Sequence, residues 1–192
     1  MNYGVYKNVR NNAWQCLLDV GITELPVSVV KIADFFDIKI VKNSKYNWLK
    51  PKQIGISRLT SNGRWIICYE DTEPSYRSRF TIAHELGHIL LGHQLKDGED
   101  HTRTFDKDRP QIESEADMFA ARILAPACVI WALDLHTPEE ISELCQISHE
   151  AAEIRAKRME LLYSRNMFLS HPLERQVYEQ FKNFIEEKKT RQ

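Results

Sequence analysis

Five residues, His84-Glu85-Leu86-Gly87-His88, constrain this chain more than any other stretch of it. On a helix, positions four apart stand one turn above each other, so the two histidines share a face. The surrounding pattern predicts that helix: it starts near residues 75–78 and runs to about 91, with Phe80, Ala83, Gly87, Leu90 and Leu91 as an apolar stripe and Gly92 as its stop. Two imidazoles stacked in this way can share one zinc ion. Glu85 lies beside them, placed to take a proton from a water that the metal activates. The fold must therefore supply a rigid helix, and something for the stripe to pack on.

Zinc in hydrolytic sites usually takes three protein ligands, so a third must come from elsewhere. A carboxylate-rich helix, residues 112–124, contains Glu113-Ser114-Glu115-Ala116-Asp117. Glu113 and Asp117 are four apart and share a face, so Glu113 can bind metal while Asp117 accepts the other N–H of a ligand histidine. Glu115 flanks the opposite side of the stripe formed by Ile112, Ala116, Phe119, Ala120 and Ile123. Helical periodicity alone does not choose between the two glutamates; the pairing with Asp117 favours Glu113 and leaves Glu115 as the alternative. The bland account of all three acids is a solvated helix N-terminus, where carboxylates meet the dipole favourably. His93, five residues past His88, points away from the shared face and lies beyond the helix end. His101 sits in the polar loop and reaches the site only if that loop folds over it; His136, His149 and His171 lack partner spacing, and all five stay unassigned.

Around these motifs the chain reads as α+β. Helical spacing over residues 5–20 ends at Gly21, and a second helix opens at Leu25-Pro26 and runs to Phe36, with Pro26 in its first turn. Three short strands follow, over residues 38–41, 53–59 and 64–69, the last two joined by Thr60-Ser61-Asn62-Gly63 with its Asn-Gly hairpin signal. They predict a small, mainly antiparallel three-stranded sheet packed on helices. The strand at 64–69 is expected at the sheet edge, where an extended substrate peptide can add. Residues 96–110 are polar and read as a loop able to act as a lid. Thr137-Pro138-Glu139-Glu140 opens a short helix through a capping box, Ser148 caps a longer one to about Arg165, and a last helix covers residues 173–189. The expected division is a metal-binding domain at 1–130 and a helical C-terminal extension at 131–192, packed on it.

Composition narrows the partners. The chain has 192 residues, long enough for one full core, and its net charge of -1 gives no electrostatic case for nucleic acid. No apolar run reaches the roughly 18 residues of a membrane span, so no membrane partner is expected. Cys16, Cys68, Cys128 and Cys145 are scattered, and the first residues lack the layout of a signal peptide. Reduced thiols and a cytoplasmic location are the expectation.

The chain resembles the ImmA/IrrE family of zinc metallopeptidases. The resemblance rests on Arg79-Phe80-Thr81-Ile82-Ala83-His84-Glu85-Leu86-Gly87-His88-Ile89-Leu90-Leu91, on Glu113, Glu115, Ala116, Asp117, Phe119, Ala120, Ala121, Leu124 and Pro126, and on the stretch Leu25 to Ala33. It covers roughly residues 22–130; Leu124-Ala125-Pro126 departs mildly from the family's usual Leu-Met-Pro. The resemblance implies a zincin-like core, a gluzincin-like zinc site with Glu113 as the carboxylate ligand, and Glu85 as the catalytic base. It also implies cytoplasmic cleavage of a helix-turn-helix transcriptional repressor, which would release a mobile element, prophage or stress regulon. Two other functions stand beside it: a metal-binding regulator that sequesters a repressor without turnover, and a DNA-binding regulator using residues 137–165. In that segment Arg155, Lys157, Arg158 and Arg165 are interleaved with Glu139, Glu140, Glu143, Glu150 and Glu153, which favours a solvated bundle over a duplex contact.

Overall fold

The structure is a computed structural model, and it describes residues 3–93, 101–103 and 111–190. It is α+β. The elements run α1 (Tyr3–Asp19), α2 (Val29–Phe35), β1 (Lys39–Lys42), α3 (Asn43–Tyr46), β2 (Gly55–Leu59), β3 (Trp65–Tyr69), α4 (Ser75–Leu90), β4 (His101–Arg103), α5 (Gln111–Leu124), α6 (Ala127–Ala132), α7 (Pro138–Cys145), α8 (His149–Arg165), α9 (Pro172–Gln180) and α10 (Lys182–Thr190). The chain divides into two compact units: Met1–Asn12 with Val29–Ala120, and Ala13–Ser28 with Ala121–Gln192.

The first unit holds the sheet, in the order β1-β3-β2-β4. β2 pairs antiparallel with β3 and with β4, and β1 pairs parallel with β3, so the sheet is mainly antiparallel and mixed. The three expected strands are present, and β4 adds a fourth. One expectation is corrected: the parallel pairing of β1 puts β3 between β1 and β2, so it offers no edge, and among the described residues the edge strands are β1 and β4. The fourth strand comes from the polar segment read as a loop; the rest of that segment, and any lid it forms, lies outside the described residues. The β2–β3 turn also differs from a two-residue Asn-Gly turn. Gly63 N bonds Thr60 O, Thr60 N bonds Arg64 O, and only Gly63 takes positive φ, +78°. The third loop residue therefore carries the left-handed conformation, as in a three-residue hairpin.

One face of the sheet carries Val41, Ile56 and Cys68, a small core closed by Trp48, Leu49 and Ile66. The alternate β2 position Gly55 faces α4, because a Cβ on it would meet Thr81 and Glu85. Residues 81–88 of α4 are all buried, histidines and glutamate included. A helix buried all round needs partners on more than one side. The sheet supplies one, and Gly87 marks another, where a Cβ would stand 3.1 Å from Ala116 Cα and 3.3 Å from Phe119 Cβ of α5. Leu25-Pro26 is a cis peptide bond, and α2 begins only at Val29, so Pro26 does not open the helix.

The second unit is helical. Thr137 caps α7 with the reciprocal capping box to Glu140, and Ser148 caps α8 by accepting from Ala151 N. The single last helix expected from the sequence is two, α9 and α10, meeting at Phe181. Phe181 is fully buried, as are Leu17, Ile130, Ile141 and Val177. Gln180 Nε2 donates to the carbonyls of Leu17 and Ile22, 2.7 Å each, and the Trp14 and His171 rings lie 5.1 Å apart. All four cysteines are free and buried. Among the described residues no helix is long and apolar enough to cross a membrane.

Candidate metal centre

The site is built within the first unit from two helices, α4 and α5. The i, i+4 spacing sets His84 and His88 on one face of α4, ring centroids 4.8 Å apart and Nε2 atoms 3.0 Å apart. The close crossing at Gly87 brings α5 alongside. Glu113 then reaches both rings, Oε2 standing 3.2 Å from His84 Nε2 and Oε1 3.2 Å from His88 Nε2. One ligand atom from each of the three lies within 4.8 Å of the others. Asp117, one turn further along α5, accepts from His84 Nδ1 at 2.8 Å.

These contacts separate the two glutamates that helical periodicity left open. Glu113 faces the histidine pair. Glu115 turns to the other side, where its Oε2 lies 3.3 Å from His93 Nε2 and its Oε1 accepts from Gln111 at 2.7 Å. His93 is the residue that sequence reasoning missed. Its ring is largely covered, with Nδ1 3.0 Å from His88 Nδ1. Helical spacing places it off the face, but the chain leaves the helix before reaching it. Gly92 takes φ +70°, its N–H bonds Ile89 O, and His93 N bonds His88 O. This is the Schellman pairing, which turns the chain back over the last helical turn. The signal in the sequence is Gly92, a helix stop whose left-handed φ returns the next residue over the last turn. Among the other histidines, His136 pairs with Asp134, His149 with Glu139, and His171 caps α9, all in the second unit; His101 lies in β4.

Electrostatics favour a cation here. Burial raises the carboxyl pKa of Glu113, but its hydrogen bonds to His84 and His88 outweigh burial and hold it well below the usual carboxylate range. Burial also pushes His88 down, towards the neutral imidazole that a metal requires. Asp117 fixes the proton of His84 on Nδ1, which leaves the Nε2 lone pair for the common point. Four tetrahedral ligands at about 2.1 Å stand roughly 3.4 Å from one another. The 3.0 Å and 3.2 Å separations here match that within a few tenths of an ångström. The donor set therefore fits a single divalent cation bound by two imidazoles and one carboxylate. Glu85 is completely buried on the same helix, its side chain turned to Gly55 of β2.

A comparison with curated proteins finds no match. A family model does match: Peptidase_M78, the IrrE N-terminal-like domain, over residues 33–157. Those residues begin within α2, contain the whole sheet and the α4–α5 site, and end in α8. The match covers well over half of the chain, which belongs to the Peptidase_M78 family.

Proposed function

We propose that the protein is a zinc-dependent endopeptidase whose substrate is a cytoplasmic helix-turn-helix transcriptional repressor, and whose cleavage relieves repression of a mobile element, prophage or stress regulon. The observation that carries the catalytic part is the convergence of His84, His88 and Glu113 beside the buried Glu85. The repressor as substrate is supported by the resemblance of residues 79–91 and 113–126 to the ImmA/IrrE family.

His84, His88 and Glu113 would hold the zinc, which would supply Lewis acidity for a peptide carbonyl and for water. The chain's own residues do the rest. A Glu85 carboxylate oxygen accepts a proton as water attacks the scissile carbonyl carbon, then gives it to the amide nitrogen as the C–N bond breaks. Burial keeps that carboxylate away from bulk water, so its proton goes to the leaving amine rather than to solvent. Asp117 holds the His84 ring at a fixed tilt and in one tautomer. A peptide locked in helix or sheet cannot enter such a cleft, so the cut falls in an extended or loosened segment of the repressor. Among the described residues β4 is an edge strand, paired with β2 on its inner side, and extended peptides add to such edges.

Co-expression with the helix-turn-helix repressor encoded nearest to this gene tests the reading. Intact repressor should disappear with the wild-type chain and persist with Glu85→Gln. Loss of repressor activity without cleavage, unchanged in Glu85→Gln, would instead establish sequestration. One observation keeps the DNA-binding reading in view: α7 and α8 form a capped helix pair joined by residues 146–148. Against it, the Arg155 guanidinium donates to the Ala125 carbonyl, and α8 exposes Ile154 among charges of both signs. Absence of salt-sensitive duplex binding disposes of it.

A further inference from the structure

We propose that His93 is a positioning residue for the metal centre, the middle link of a chain Glu115–His93–His88 that fixes the tautomer and tilt of the second ligand histidine. The inference rests on the zinc reading above and assigns Glu115, the rejected ligand candidate, a role of its own.

A histidine that gives Nε2 to a metal must keep its proton on Nδ1. For His84 that proton goes to Asp117, 2.8 Å away. For His88 the atom facing Nδ1 is not a carboxylate but His93 Nδ1, at 3.0 Å. Two ring nitrogens at that distance hydrogen-bond only if one donates and the other accepts. Since His88 Nδ1 must donate, His93 Nδ1 must accept, and the proton of His93 moves to Nε2. Facing Nε2 is the Glu115 carboxylate at 3.3 Å, an acceptor only. Gln111 Nε2 donates to the other Glu115 oxygen at 2.7 Å and holds that carboxylate in place. The direction of each of these hydrogen bonds agrees with a His88 Nε2 lone pair turned to the point shared with His84 and Glu113.

Backbone geometry fixes the link as well. The Gly92 turn bonds His93 N to His88 O, so the backbones of the two histidines are tied together before their rings meet. His93 and Glu115 side chains are both largely buried, at 7% and 14% exposure. Solvent therefore competes poorly for these hydrogen bonds. The two ligand histidines are oriented by different devices: one directly by a carboxylate, the other by a carboxylate acting through a second imidazole. Partners of this kind, placed behind a metal ligand, commonly change metal affinity by about 10–100-fold when removed.

The test measures zinc affinity by competition with a chromophoric chelator, alongside the imidazole nitrogen NMR spectrum of the zinc-loaded full chain. His93→Leu should weaken zinc binding by about 10–100-fold. His93→Asn, whose amide oxygen can accept from His88, should recover much of that loss, and Glu115→Gln should lose less than His93→Leu. The wild-type spectrum should show His88 protonated at Nδ1 and His93 at Nε2. Zinc binding by His93→Leu equal to wild type overturns the proposal, as does a spectrum with His93 protonated at Nδ1. The spectrum needs no variant, so a poorly folding His93→Leu does not shield the proposal. Failure of the wild type itself to bind zinc would sink the zinc reading and this inference together; tight wild-type binding that ignores His93 sinks this inference alone.

Discussion

Gly87 shows how much of this site depends on an absent side chain. Its Cβ would lie 3.1 Å from Ala116 Cα and 3.2 Å from Ala116 O, backbone atoms of α5 that cannot swing aside. Gly87→Ala should push α5 off α4 and cost about 1–3 kcal/mol, as overpacking generally does. The same shift draws Glu113 away from the histidines, so zinc affinity should fall further than a urea melt alone would suggest. Gly55 is the counterpart on β2, where a Cβ would run into Thr81 and approach Glu85 Oε1 at 3.2 Å. On the proposed mechanism, Gly55→Ala should leave zinc binding near wild type while lowering turnover, because it displaces Glu85 and not His84, His88 or Glu113. At this scale the sequence was legible wherever a role follows from i, i+4 spacing: His84 with His88, and Glu113 with Asp117. It was silent on His93, because five residues is no helical repeat and the turn that returns it is set by φ at Gly92. Helical periodicity was equally silent on Glu113 against Glu115, since both border the same stripe and only the crossing of two helices decides which one faces the histidines.

Among elements, helices were easier to read than the order of strands. Caps and stops mark α4, α7 and α8 locally, and the structure places their ends within a residue or two of the sequence reading. Thr137 should reward a direct check: Thr137→Ala removes the acceptor for Glu140 N and should cost about 1 kcal/mol in thermal or urea unfolding. Strand order is a non-local property, and β4 has three residues in a polar stretch with no alternation to betray it. β3 is interior because β1 crosses over to pair parallel with it on the side away from β2, while β4 covers β2. The end of β3 offers a pH test. Glu70 accepts from Thr72 Oγ1 at 2.8 Å and from Asn43 at 2.9 Å, and these hydrogen bonds, that from Thr72 foremost, hold its carboxyl below its usual range despite some burial. A depressed carboxylate contributes stability above its unfolded pKa and loses it as pH falls through the folded value. Thr72→Val should therefore be destabilised relative to wild type at pH 7, and the gap should shrink in urea melts at acidic pH.

For the whole molecule, the two compact units are not consecutive in sequence. Ala13–Ser28 belongs with Ala121–Gln192, and the division falls inside α1 and again inside α5. A cut at residue 130, where the sequence alone suggests a domain end, would leave residues 13–28 without the helices they bond. Gln180 alone satisfies two carbonyls of that segment, Leu17 and Ile22. A chain ending at 130 should accumulate in the insoluble fraction, whereas one ending at 190 should melt like the full chain. Composition and periodicity could not show this, because the pairing of residues 13–28 with α9 spans more than 150 positions.

The turn at Gly92 also carries a lesson about length. His88 and His93 meet because four residues separate them and one of these takes a left-handed conformation. One residue inserted or deleted there would leave His84-Glu85-Leu86-Gly87-His88 untouched and still misplace His93. Relatives that keep the pentapeptide but change this spacing should hold zinc more loosely, a difference that a search for the pentapeptide would never register.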